Sequence, residues 1–189
     1  ETGLILPIGD FVLKEALRQL DEWRPLLGEH FKMSVNVSAL QLRQDGFQGR
    51  IRELLKQFQS RTDCLVLEIT ESALMTHAAS RLQWLEELKG AGVQIAIDDF
   101  GTGYSSLSYL TRFPIDFLKV DQSFVADLER GSEGAAVTRA VFRMAQELGI
   151  RIIAEGVENE RQLQLLRAMG RCTVQGWLVS KARPPAELL

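Results

Sequence analysis

Short, almost uninterrupted apolar runs rich in Val, Ile and Leu alternate along this chain with longer segments whose apolar residues recur every three to four positions. The first kind reads as buried strand, the second as amphipathic helix. Strands are predicted at Met33 to Ser38, Leu65 to Glu71, Gln94 to Asp99, Phe117 to Asp121, Arg151 to Val157 and Thr173 to Trp177. Between and before them lie helices: Ile8 to Trp23, with Phe11, Val12, Ala16, Leu20 and Trp23 on one face, and a segment in which Phe47, Ile51, Leu54, Leu55 and Phe58 oppose a charged face. Further helices are predicted from Ala78 to Lys89, Ser106 to Arg112, Ala135 to Leu148 and Glu160 to Met169. Glycines follow three of them (Gly90 and Gly92, Gly149, Gly170) and Pro114 ends the fourth, as helix stops require. Ser105 and Ser106 are candidate caps for the helix that they precede.

Six alternations of strand and helix allow either a doubly wound sheet or a (β/α) barrel. The polar tips of the strands discriminate: Asn36, Glu68, Asp98, Lys119, Glu155 and Gln175 fall at six successive carboxyl ends. In an open sheet only strands beside the switch point present polar groups to a ligand, whereas every strand of a barrel contributes to one mouth. The expected fold is therefore α/β, a (β/α)8 TIM-like barrel. A full barrel takes eight strands and roughly 250 residues, and the 189 residues supply about six βα units. The chain opens on Glu1-Thr2-Gly3 with no initiator methionine, so residues 1–189 are expected to form a single domain incomplete at its N-terminus.

Composition narrows the function classes. With 46% hydrophobic residues, 25% charged residues and a net charge of -3, the chain can bury a substantial core and shows no basic excess for a nucleic-acid polymer. No apolar run reaches the ~20 residues that span a bilayer and no signal peptide is evident. Cys64 and Cys172 lack metal-ligand spacing to each other or to His30 and His77, so free thiols are expected in a reducing, cytoplasmic compartment.

The chemistry concentrates at Asp98-Asp99-Phe100-Gly101-Thr102-Gly103-Tyr104-Ser105-Ser106. One reading of Asp98 and Asp99 is that they only satisfy backbone amides of the turn; yet adjacent carboxylates repel unless a cation or a Lys/Arg side chain neutralises them, and the strand-end set of Asn36, Glu68, Asp98, Asp99 and Glu155 offers only oxygen donors. Such hard ligands select Mg²⁺ or Mn²⁺. Two ions bridged by the aspartate pair could clamp attacking and leaving oxygens in phosphodiester hydrolysis. Lys119 would hold the water or neutralise phosphate charge, and Glu155 could accept a proton. The alternative for Lys119 is a salt bridge to Asp121 or Glu155, and for Asn36 and Gln175 a role limited to satisfying backbone groups.

Val35-Asn36-Val37-Ser38, Glu68-Ile69-Thr70-Glu71-Ser72, Asp98-Asp99-Phe100-Gly101-Thr102-Gly103-Tyr104-Ser105-Ser106-Leu107, Leu118-Lys119-Val120-Asp121, Ala154-Glu155-Gly156-Val157-Glu158 and Gln175-Gly176-Trp177 resemble, in order, the motif series of the EAL-domain family. That resemblance implies a bacterial phosphodiesterase that cleaves cyclic di-GMP to pGpG with two Mg²⁺ or Mn²⁺ ions. It implies one metal on Asn36, Glu68 and Asp98, and a second sharing Asp98 and adding Asp99. Lys119, Glu155 and Gln175 would organise the water, Glu155 as general base, and Glu71 would pin the loop after Asp99. A homodimer, and fusion to sensor or cyclase domains, follow from the same resemblance, with no nucleic-acid polymer and no membrane contact.

The family's signature tripeptide is the departure. Glu15-Ala16-Leu17 spells it, but within an amphipathic helix and only 21 residues before Asn36, with Glu15 expected to face solvent. The signature glutamate on the first strand is thus expected to be missing, which would impair this chain as an enzyme. Trp177 where tyrosine is usual, and Lys181-Ala182 where a proline is common, touch no proposed ligand. The second reading is a cyclic di-GMP receptor or regulatory module that binds without cleaving; retention of the full acidic set favours the hydrolase.

Overall fold

A computed structural model describes residues 3–28, 30–58, 62–76, 78–101, 107–129 and 133–188. Along the chain they form α1 (Ile5–Leu27), β1 (Met33–Asn36), α2 (Ala39–Leu42), α3 (Phe47–Gln57), β2 (Leu65–Thr70), α4 (Glu71–Met75), α5 (Ala78–Gly90), β3 (Gln94–Phe100), α6 (Leu107–Leu110), β4 (Phe117–Val120), α7 (Gln122–Asp127), α8 (Glu133–Glu147), β5 (Arg151–Ala154), α9 (Glu160–Met169) and β6 (Thr173–Val174). In the sheet each strand neighbours the next one in the chain, from β1 to β6, and β1/β2, β4/β5 and β5/β6 are parallel pairs. A doubly wound sheet would reverse its order at a switch point. Unbroken chain order is the order of a (β/α) barrel, as the polar tips imply.

Contacts divide the chain into two compact units, residues 1–96 with 106–115 and residues 97–105 with 116–189. In the first, β2 is buried along its length, with Leu65, Leu67 and Ile69 fully enclosed. Helix α3 lays Phe47, Ile51, Leu54 and Leu55 inward, the face that the periodicity predicts, while α5 buries Trp84, Leu85 and Leu88. Phe47 stacks on Trp84 with ring centroids 6.1 Å apart. Helix α5 closes where Val93 N–H reaches back to Leu88 O, a turn that the left-handed Gly92 (φ 91°) permits.

Helix α1 corrects two expectations. It runs from Ile5 to Leu27, past Pro25 to a stop at Gly28. Its buried residues are Gly9, Leu13, Leu17, Gln19 and Leu20, whereas Phe11 is 66% exposed and Val12 41%. The sequence of α1 carries two apolar stripes, and the one that packs on β1 and α2 is Leu13-Leu17-Leu20. Of the face first expected, Leu20 is buried and Trp23, half-buried, meets Phe31 edge-on at 5.8 Å. Glu15 does lie on the surface, paired with Arg18.

In the second unit β4 is buried throughout, and α8 covers β5 with Phe142 and Ala145 in the core. Strand β6 is two residues long, not five. At Gly176 (φ 153°) the backbone turns against that of Val157 too closely for any side chain. Strand β5 likewise ends before Gly156 (φ 63°), where a Cβ would strike Gln122. The short helices α2, α4 and α7 are not anticipated by periodicity. Two of them start from polar strand tips: Ser38 and Gln41 form a capping box, and Asp121 caps α7 by accepting from the Ser123 amide at 2.9 Å. Both cysteines are free thiols. No helix among the described residues is long and apolar enough to cross a membrane.

Candidate active site

Strand ends position every predicted polar group. In the first unit Asn36 and Glu68 are register partners at the ends of β1 and β2, Asn36 exposed and Glu68 buried. Glu71 opens α4 and is buried. The loop it was expected to pin includes residues 102–106, which lie outside the described residues, as do the candidate caps Ser105 and Ser106.

In the second unit Asp98 and Asp99 end β3. Asp98 is buried in line with the strand, and Asp99 takes a positive φ (53°), which Asp, like Asn, tolerates better than most non-glycine residues. Its amide donates to Asp98 Oδ1 at 3.1 Å, which ties the two side chains to one kink. Lys119 lies within β4. Glu155 and Gln175 follow β5 and β6 by one residue, yet the ladder still fixes both backbones. Glu155 N–H donates to Val120 O at 3.0 Å, Gln175 N–H to Ala154 O at 2.9 Å, and Gln175 O accepts from Val157 N–H at 3.0 Å.

The Lys119 ammonium is 2.9 Å from Asp98 Oδ1 and 2.7 Å from Glu155 Oε1, with its side chain only 4% exposed. The bridge to Glu155, the alternative reading of Lys119, is thus present, and Asp98 is its second partner. A buried and a half-buried carboxylate sharing one buried cation form a preorganised arrangement, because the ammonium cannot be left alone in a low-dielectric setting. Asp98, Asp99 and Glu155 each offer an oxygen within 4.8 Å of the others. This donor set, carboxylate oxygen throughout, fits a hard divalent cation such as Mg²⁺ or Mn²⁺. Burial, and behind it the carboxylates of Asp98 and Asp121, push the Asp99 carboxyl above its usual range while Lys119 pulls it down. A cation placed among these groups would relieve that repulsion.

Beside the carboxylates lies a cavity of about 520 Å³ lined by Asp99, Asp121, Glu155, Glu158, Gln175 and Trp177, among others. Trp177 is 66% exposed, with Lys181 Nζ over one face of its ring, 4.9 Å from the centroid. It therefore offers an exposed aromatic surface with a cation at hand, suited to a planar, anionic ligand. Glu158 and Ser180 line this cavity without having been singled out from the sequence, and so does Asp121, which is named there only as an alternative partner of Lys119. Asp121 and Glu158 stand two and three residues beyond Lys119 and Glu155, and that proximity to strand ends was the available signal.

With this geometry in hand, comparison with known proteins is specific. The EAL domain family model matches residues 1–182. The chain is 42% identical over 191 aligned positions to the bifunctional diguanylate cyclase/cyclic di-GMP phosphodiesterase MucR of Pseudomonas aeruginosa, covering 100% of this chain and 28% of that protein. Among solved structures, a PaMucR phosphodiesterase in complex with c-di-GMP superposes with a TM-score of 0.94 at 43% identity, over 100% of this chain and 76% of that one. A manganese/cyclic di-GMP complex of BlrP1 from Klebsiella pneumoniae gives 0.81 at 31% identity, over 91% of this chain and 43% of that one. The chain spans about a quarter of the length of the curated relatives it matches.

Proposed function

The chain belongs to the EAL domain family, and from that premise we propose that it is a metal-dependent phosphodiesterase module that hydrolyses cyclic di-GMP to the linear dinucleotide pGpG. One observation carries the reading: Lys119 clamps Asp98 and Glu155 at 2.9 and 2.7 Å while three carboxylate oxygens gather within 4.8 Å. Asp98 and Asp99 hold the cations, with Asn36 and Glu68 as the further oxygen donors. When bound, Mg²⁺ or Mn²⁺ neutralises phosphodiester charge and acidifies water. The chain's own residues do the rest. Glu155 accepts the proton of the attacking water, Lys119 holds Glu155 and Asp98 in register, and Gln175 orients the water from the cavity wall. A P–O bond forms as another breaks, and the ring of the dinucleotide opens. Trp177 gives a base a surface on which to stack. Glu71 positions the loop after Asp99.

The Glu15-Ala16-Leu17 triplet does not supply the signature ligand in this reading, because it lies on α1 with Glu15 paired to Arg18. Turnover by these 189 residues alone is therefore proposed to be slow. Cytoplasmic placement, a homodimer and fusion to sensor or cyclase domains complete the proposal, the last supported by the small share of its relatives that the chain spans.

Incubation with cyclic di-GMP and Mn²⁺, followed by chromatography, tests it. Slow formation of pGpG that stops with EDTA and with Asp98→Asn supports the hydrolase. Tight binding with or without metal, and no pGpG, would identify a receptor instead.

A further inference from the structure

Arg81, on α5, is 7% exposed, and among the described residues its one hydrogen bond is from Nη1 to the carbonyl of Leu42, while its Nε meets no partner there. A buried guanidinium ordinarily faces a carboxylate; here the charged neighbour is Arg43, and burial together with that like charge lowers the Arg81 pKa. One turn further along α5, Trp84 is 4% exposed and its indole Nε1 also lacks an acceptor among the described residues. Stacking on Phe47, with rings 5° from parallel, fixes the indole plane so that the N–H cannot turn elsewhere.

Both side chains line a cavity of about 430 Å³ with Arg43, Asp45, Gly46 and Gln48. The same wall carries the start of α3, whose N-cap Gly46 (φ 80°) provides no side-chain cap; Phe47 N–H donates to Gln44 O, and the positive end of the helix lies beside this turn. Two guanidinium groups and a helix N-terminus make this wall positive, and among the described lining residues Asp45 is the one carboxylate that opposes them. We propose that this cavity is an oxyanion site, independent of the candidate active site, which takes the phosphate group of a free phosphate or of a small phosphorylated molecule. Arg81 meets the oxyanion from the cavity wall and Arg43 closes over it from solvent, while the Trp84 indole, in the same wall, senses the bound charge. The volume falls in the range of small-molecule sites, which leaves room for more than the phosphate group itself.

The three tryptophans, Trp23, Trp84 and Trp177, give three indole N–H resonances that separate this site from the other cavity. In EDTA, titration of the ¹⁵N-labelled chain with inorganic phosphate, GMP, guanosine or chloride of matched ionic strength should shift the Trp84 resonance, assigned with Trp84→Phe, saturably for phosphate and GMP only. Tighter binding of GMP than of phosphate identifies a phosphorylated molecule as the source, and equal binding a free phosphate. Arg43→Gln, on the surface, should weaken binding about tenfold, and Asp45→Asn should strengthen it. No saturable Trp84 shift, an equal shift with chloride, or affinities untouched by Arg43→Gln and Asp45→Asn would overturn the site.

Discussion

Lys119 and Arg81 are both almost wholly withdrawn from solvent, yet Lys119 lies between two carboxylates and Arg81 beside another guanidinium. The difference follows from the elements that carry them. Lys119 is near the end of a buried strand whose neighbours carry acidic residues at the same level, Asp98 near the end of β3 and Glu155 just after β5, so the register of the sheet delivers its counter-charges. Arg81 rises from a helix toward the α2–α3 turn, where a backbone carbonyl and an apolar floor are what the fold supplies. One buried cation is balanced within the chain, and the other is balanced by a ligand.

The largest effect expected from breaking this contrast is that of Lys119→Met. It leaves Asp98 and Glu155 opposed without a cation and should cost about 3–5 kcal/mol in urea unfolding with EDTA; Mn²⁺ should recover part of the loss. Arg81→Met removes a cation that no carboxylate balances and one hydrogen bond to Leu42, so stability should change by no more than about 1 kcal/mol. A loss as large as that of Lys119→Met would reveal a counter-charge and dissolve the contrast. Phosphate should raise the melting temperature of the wild type and not of Arg81→Met.

The smallest effect concerns Asp99, whose carboxyl is raised in the folded state chiefly by burial, then by Asp98 and Asp121. A raised carboxyl means that the folded chain holds its proton more tightly than the unfolded one, so this group favours folding below its ordinary range near pH 4 and loses that contribution as pH rises. Asp99→Asn should therefore raise the melting temperature slightly at pH 7 in EDTA, with the gain vanishing near pH 3.5. With Mn²⁺ present the order at pH 7 should reverse.

Much of this was legible in the residues, for reasons particular to each. Strands buried on both faces leave nearly pure apolar runs, so β2 and β4 could be located and their terminal Glu68 and Lys119 singled out. Helix α3 was legible because it has one apolar stripe. Helix α1 was not, because Leu13-Leu17-Leu20 and Ile8-Phe11-Val12 are both well-spaced stripes and tertiary packing alone selects between them. The ends of β5 and β6 were overestimated because Gly156 and Gly176 turn the chain for steric reasons that lie in distant residues, Gln122 and Val157. Arg81 and Trp84 gave no signal: a charged residue on a helix reads as solvated, and its burial is decided by the turn from another element that folds over it.

Manganese binding, followed by the loss of free Mn²⁺ signal in electron paramagnetic resonance, bears most directly on the strand-end carboxylates. The wild-type chain should bind Mn²⁺ saturably, and Asp98→Asn, still folded by circular dichroism, should lose roughly a hundredfold or more in affinity. Equal uptake by wild type and Asp98→Asn, or none by either in the presence of cyclic di-GMP, would show that these oxygens do not form a metal site.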